Sequence, residues 1–141
     1  MRKLKRMGAM VMALVLAFSL SVTAFAAVED TGFSDVAADA WYAEAVEYVR
    51  DNGLMSGTSA TTFAPNDTMT RSMLATTLYR EAGSPAVSGS DAFTDTQEGA
   101  WYADAVLWAS QEGVISGYGN GLFGTNDPVS REQIATILWR Y

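Results

Sequence analysis

Arg71 and Arg131 stand 60 residues apart, each directly after a hydroxyl residue, Thr70 or Ser130, of the kind that caps a helix. A helix start exposes free N–H groups and the positive end of the macrodipole, which together favour an anion. An arginine there adds a planar fork that fits a carboxylate through two hydrogen bonds. The chemistry on offer is recognition of an acidic group rather than bond-making. The chain contains no His and no Cys, so the commonest general base, the commonest zinc ligand and any thiol nucleophile are missing. Thiol and Ser–His catalysis are thereby excluded. A structural use competes with the ligand-binding one: Arg71 could pair with Asp35 and Arg131 with Asp95, and the two uses are compatible.

The arginines belong to a longer correspondence. Residues 33–80 align with 93–140 without a gap, and 19 of the 48 positions are identical, where unrelated segments would match at roughly 3. Phe33 returns as Phe93, Asp35 as Asp95, Trp41-Tyr42 as Trp101-Tyr102, Gly53 as Gly113, Gly57 as Gly117, Phe63 as Phe123 and Arg80 as Arg140. Such a repeat is one structural unit built twice.

Each unit reads as helix, loop, helix. The spacing predicts a first helix over 39–52, with Trp41, Ala45, Val46 and Val49 on one stripe, and its counterpart over 99–112, with Trp101, Ala105 and Trp108 inward. Gly53 and Gly113 supply the left-handed stop. In the following loop, Asn120-Gly121 predicts a hairpin with a two-residue ladder, and Phe63 and Phe123 are expected to pin the loop to the core. The second helix begins after Thr70 or Ser130. Ser130 and Gln133 form a capping box, whereas Met73 takes the box position in the first copy. Leu74, Thr77 and Leu78, matched by Ile134, Ile137 and Leu138, are expected to face inward. Neither unit can bury its apolar face alone, so the units must stack. The fold class expected is all-α: a small helical bundle of two helix-loop-helix repeats with short loop hairpins, preceded by a signal peptide.

Residues 1–26 have the layout of that signal peptide: Arg2, Lys3, Lys5 and Arg6, an apolar run, then Ala24-Phe25-Ala26. The remaining organisation is read as a first repeat over 27–81, a linker over 82–92 and a second repeat over 93–141. Beyond residue 26 there is no lysine. Five arginines face sixteen acids, a net charge of −11. That balance disfavours nucleic acid and anionic membrane, whose binding depends on dense basic charge. No integral membrane segment is expected after cleavage.

In order and spacing these landmarks resemble the S-layer homology (SLH) repeat of bacterial surface proteins. The matching pieces are Phe33-Ser34-Asp35-Val36, Trp41-Tyr42, Gly53-Leu54-Met55-Ser56-Gly57, Phe63-Ala64-Pro65-Asn66-Asp67 and Thr70-Arg71. The second copy supplies Phe93-Thr94-Asp95, Trp101-Tyr102, Gly113-Val114-Ile115-Ser116-Gly117, Phe123 and Ser130-Arg131-Glu132-Gln133. The family usually has three repeats around a pseudo-threefold axis, and two are found here. The resemblance implies a secreted, cell-wall-associated, non-catalytic module that binds anionic, often pyruvylated, secondary cell-wall polysaccharide without a covalent bond. Cofactors and metals are not expected, and an EF-hand spacing is absent.

On that reading Arg71 and Arg131 bind the acidic group of the glycan, and Asp35 and Asp95 position the arginines or cap a helix. Trp41 and Trp101 could stack on sugar rings, although their stripe favours the core. Gly57 and Gly117 either admit the ligand or form the turn. A second reading is a structural adaptor, in which the chain completes an SLH trimer by self-association or with another SLH chain. A third, a wall glycosidase, needs two carboxylates about 5–9.5 Å apart, and no acid stands out from solvated helix faces.

Overall fold

The computed structural model describes residues 30–141; the signal-peptide segment lies outside the described residues. Among them are four helices and no strand: α1 (Ala43–Asp51), α2 (Arg71–Glu81), α3 (Ala103–Gln111) and α4 (Arg131–Arg140). The fold is all-α, as the periodicity implies.

Local chemistry accounts for the ends of each helix. Thr70 caps α2 by accepting from the Met73 amide at 3.3 Å. Ser130 caps α4 through the full box: its hydroxyl accepts from Gln133 N at 3.3 Å, and the Gln133 side chain accepts from Ser130 N at 3.1 Å. Gly53 and Gly113, at φ +67° and +71°, close α1 and α3. The first helices start later than 39 and 99. Residues 40–42 and 100–102 are tight turns, closed by Ala43 N donating to Ala40 O and Ala103 N to Ala100 O. Trp41 and Trp101 therefore precede the helices, and the apolar stripe does not carry them inward.

The helix–helix packing crosses the repeat boundary: α2 of the first repeat lies on α3 of the second. Leu74, Ala75 and Leu78 meet Ala105, Trp108 and Ala109, and Tyr79 packs on Trp108 with ring centroids 5.7 Å apart. The second-repeat loop joins this core through Val114, Ile115 and Phe123, and α4 through Ile137. A smaller core, Phe33, Val36, Ala43 and Val46, sits under the first-repeat loop with half-buried Phe63. Ala45 and Leu138, expected inward, are exposed. The neighbours that cover their counterparts Ala105 and Leu78 stand on one side of the junction alone.

The Asn120-Gly121 loop makes a turn but no ladder. Tyr118 N donates to Leu122 O at 2.9 Å, and the isolated bridge among the described residues is Thr70 with Pro128. The flanks run directly into other contacts, so no second rung forms.

The two loop anchors differ in burial although their sequence contexts match. Truncating fully buried Phe123 to Ala should cost about 3–5 kcal/mol in urea unfolding, and Phe63→Ala clearly less. Equal losses would contradict the asymmetry of the cores.

Candidate functional site

Arg71 lies at the centre of the junction. It opens α2, whose Thr70 cap directs the first turn at the second-repeat loop. Arg71 N donates to Asp127 O at 3.0 Å, Ser72 N to Thr125 O at 3.2 Å and the Ser72 hydroxyl to Thr125 O at 2.7 Å. So positioned, the guanidinium is drawn inside, with 4% of the residue exposed. Its Nε donates to Phe123 O at 2.8 Å and its Nη2 to Ser116 O at 2.7 Å. The rings of Tyr118 and Phe123 lie 4.6 and 5.2 Å from its central carbon, a cation–π arrangement.

The expected pairs Arg71–Asp35 and Arg131–Asp95 do not form. The one ion pair among the described residues is Arg50 with Asp51. The aspartates staple loops instead. Asp35 accepts from the Phe63 and Ala64 amides at 2.8 and 2.7 Å. Asp95 accepts from Phe123 and Gly124, both at 2.7 Å, and from Thr125 at 3.4 Å. Backbone amides compete successfully because they are fixed one loop away, whereas Arg71 reaches into the second repeat and Arg131 stands exposed. The Phe63 amide leads in holding the Asp35 carboxyl below its ordinary value. At Asp95 burial is the largest single influence and pushes upward, but the amides together outweigh it and the net shift is also downward.

The other candidates separate. Trp41 is 93% exposed and meets Tyr42 edge-on at 5.4 Å; Trp101 is also exposed and meets Tyr102 edge-on at 5.2 Å. The core placement expected for both tryptophans is thus corrected. Gly57 and Gly117 serve close approach. A Cβ at Gly117 would strike the Phe93 ring and Leu122 O, and one at Gly57 the Phe33 ring and the carbonyls of Thr62 and Ser59. Arg131 is exposed at the start of α4 and has no protein partner among the described residues.

Beside Arg71 opens a groove of about 150 Å³ between α4 and the second-repeat loop, lined by Arg71, Ile115, Ser116, Glu132, Gln133, Thr136, Ile137 and Arg140. Of the sequence candidates, Arg71 alone lines it. Its Nη1 has no protein acceptor among the described residues and is not sealed from solvent. Sequence reasoning missed Arg140 and Ser116, which meet at 3.5 Å through Arg140 Nη1 and Ser116 Oγ. Arg80 repeats the clasp in the first unit, reaching Leu54 O at 3.3 Å and Ser56 Oγ at 3.4 Å. Both pairs recur in the 60-residue alignment, which was the available signal. Among the described residues no cluster of acids could hold a metal ion, and no helix is long and apolar enough to cross a membrane.

Residues 32–72 and 92–135 match the family model described as S-layer homology domain. The chain is 35% identical over 115 residues to a surface-layer 125 kDa protein of Lysinibacillus sphaericus, covering 79% of this chain and 10% of that protein. It is 33% identical over 108 residues to an endoglucanase of Bacillus sp. (strain KSM-635), covering 77% and 11%. To an S-layer protein of Bacillus thuringiensis subsp. finitimus it is 32% identical over 107 residues, covering 75% and 13%. The chain spans about a tenth of the length of these relatives.

The stapling aspartates give the fold an acid limit. Both carboxyls hold their charge more readily folded than unfolded. Their stabilisation is therefore present above the ordinary carboxylate value of about 3.9 and is lost as pH falls through the lower folded value. The urea midpoint should fall between pH 6 and pH 3, and Asp95→Asn should lower it at pH 6 while flattening that fall. An unchanged pH slope in Asp95→Asn would remove Asp95 from the account.

Proposed function

Because this chain belongs to the S-layer homology domain family, we propose that it is a non-catalytic module that attaches its bearer to the bacterial cell wall by binding an anionic, pyruvylated secondary cell-wall polysaccharide without a covalent bond. The observation that carries this reading is the Arg71 guanidinium: nearly buried, met by carbonyls and rings rather than by any carboxylate among the described residues, and part of the lining of a groove. Two of the five arginines beyond residue 26 line that groove. Arg140 and the hydroxyl of Ser116 supply further donors for a carboxylate and its sugar.

The relatives support the non-catalytic part. An endoglucanase and two S-layer proteins share this segment over about a tenth of their lengths. Proteins named for such different roles have attachment in common more readily than a reaction. The charge distribution supports the local nature of recognition. A net charge of −11 repels a polyanion at long range, so affinity must come from short charge-assisted hydrogen bonds in the groove. Trp41 and Trp101, both exposed, offer stacking faces to a longer stretch of polymer, and Arg131 a further cation.

The test is co-sedimentation with isolated wall sacculi, before and after chemical removal of the secondary polymer. Binding should disappear with the polymer. Arg71→Ala confounds binding with folding, so Arg140→Ala is the sharper variant. It should bind at least tenfold more weakly, as the loss of a charge-assisted hydrogen bond of about 1.5–3 kcal/mol requires, with a urea midpoint close to that of the parent chain. Undiminished binding by Arg140→Ala, or to polymer-free sacculi, would sink the reading.

A further inference from the structure

The α2–α3 junction has a counterpart with no occupant. Shifting its residues by 60 carries α2 onto α4, and shifting them back carries α3 onto α1. On the α2 side, Leu78 is 6% exposed in the junction, whereas its equivalent Leu138 on α4 is 54% exposed, and Trp139, the equivalent of Tyr79, stands in solvent. On the α3 side, Trp108 is 7% exposed, whereas its equivalent Tyr48 on α1 is 61% exposed. The polar half is vacant in the same sense. Arg71 uses Phe123 O and Ser116 O, while its equivalent Arg131 is free. The corresponding carbonyls of Phe63 and Ser56 accept no hydrogen bond among the described residues.

We propose that a second copy of this chain fills both faces head to tail, α4 of one copy lying on α1 of the next, with Arg131 entering the first-repeat loop between Ser56 and Phe63. Trp139 then packs on Tyr48 as Tyr79 packs on Trp108. The contact is heterologous, since two different surfaces of one chain meet. The partner copy also contributes to a site: Arg131 stands beside Ser56 and Arg80 as Arg71 stands beside Ser116 and Arg140, and the Ser56–Arg80 clasp gains the buried cation that the second-repeat groove already has. Two differences make the new junction weaker than the internal one. Thr58 replaces Tyr118, which removes one cation–π face, and Glu132 replaces Ser72, whose hydroxyl donates to Thr125 O. Glu132 has no proton to donate there. Beyond residue 26 each copy carries −11, so screening by salt should favour association.

The association does not depend on a glycan, and the experiment is run without one, so its failure leaves the wall-binding reading standing. Sedimentation velocity of the chain without residues 1–26 should show association that rises from micromolar to several hundred micromolar and is stronger in 0.5 M than in 0.05 M NaCl. Trp139→Glu and Tyr48→Glu alter exposed positions and should leave the circular dichroism spectrum and urea midpoint intact. Each variant alone should sediment as a monomer, because every contact in its sample contains the altered face. Mixed, they should form a one-to-one complex through the single intact α4–α1 pair. A parent chain that stays monomeric throughout overturns the proposal and assigns these faces to a different protein. Self-association retained by either variant, or no complex on mixing, also overturns it.

Discussion

The Arg71 guanidinium is the polar centre of the contact between the two repeats, beside the backbone bonds of Arg71 and Ser72 and the α2–α3 core. Arg71 leaves the first repeat at the start of α2 and ends between Ser116 O and Phe123 O of the second. Burying a cation is costly unless its hydrogen bonds are made. Here two carbonyl dipoles and two aromatic faces make up for water, and no carboxylate takes part. The carbonyls must already be aimed. Asp95 arranges this by taking the amides of Phe123, Gly124 and Thr125, which sets the peptide whose oxygen receives Arg71 Nε. Ser116 closes the other side, its carbonyl held by Arg71 and its hydroxyl near Arg140. The links form one network, so disturbing one loosens the next.

The same residues behave differently in the two copies because a side chain's environment comes from its neighbouring unit. Leu78 is buried by α3, and Leu138 is exposed, with no helix packed on it among the described residues. Phe123 is sealed by Arg71 and α2, and Phe63 is half open. The sequence within a repeat specifies caps, turns and staples. Whether its apolar stripe is satisfied depends on the unit that follows. The direct helix–helix pairing is therefore between the second helix of one repeat and the first helix of the next.

That division also explains what could be read in advance. Thr70 and Ser130 as caps, the Gln133 box, Gly53 and Gly113 as stops, and Phe123 as an anchor all depend on a few adjacent residues, and all are present in the structure. The tryptophans were placed inward because an apolar residue near a helical stripe is counted with it. A delay of four residues in the helix start puts them outside, and periodicity does not register it. The Arg–Asp pairs were inferred from complementary charge at matching positions. Backbone amides compete for the same carboxylates without leaving any mark in side-chain patterns. The groove escaped notice for a related reason: it combines Arg71 from one repeat with Ser116, Thr136 and Arg140 from the other, and a comparison of the repeats with each other cannot show which residues meet across them.

The distribution of charge ties this architecture to recognition. The sixteen acids and five arginines beyond residue 26 could have been paired to neutralise the arginines, yet among the described residues only Arg50 meets an acid, Asp51. Arg71, Arg80 and Arg140 are oriented by carbonyls and hydroxyls, which fix a guanidinium without cancelling its charge. A carboxylate partner would hold Arg71 equally well in place, but it would neutralise the groove. Held by dipoles, the arginine keeps its charge, so the groove is lined by the guanidiniums of Arg71 and Arg140 against the one carboxylate of Glu132. The feature that makes Arg71 a structural clamp is thus the one that, on the proposed reading, leaves its charge available to a ligand.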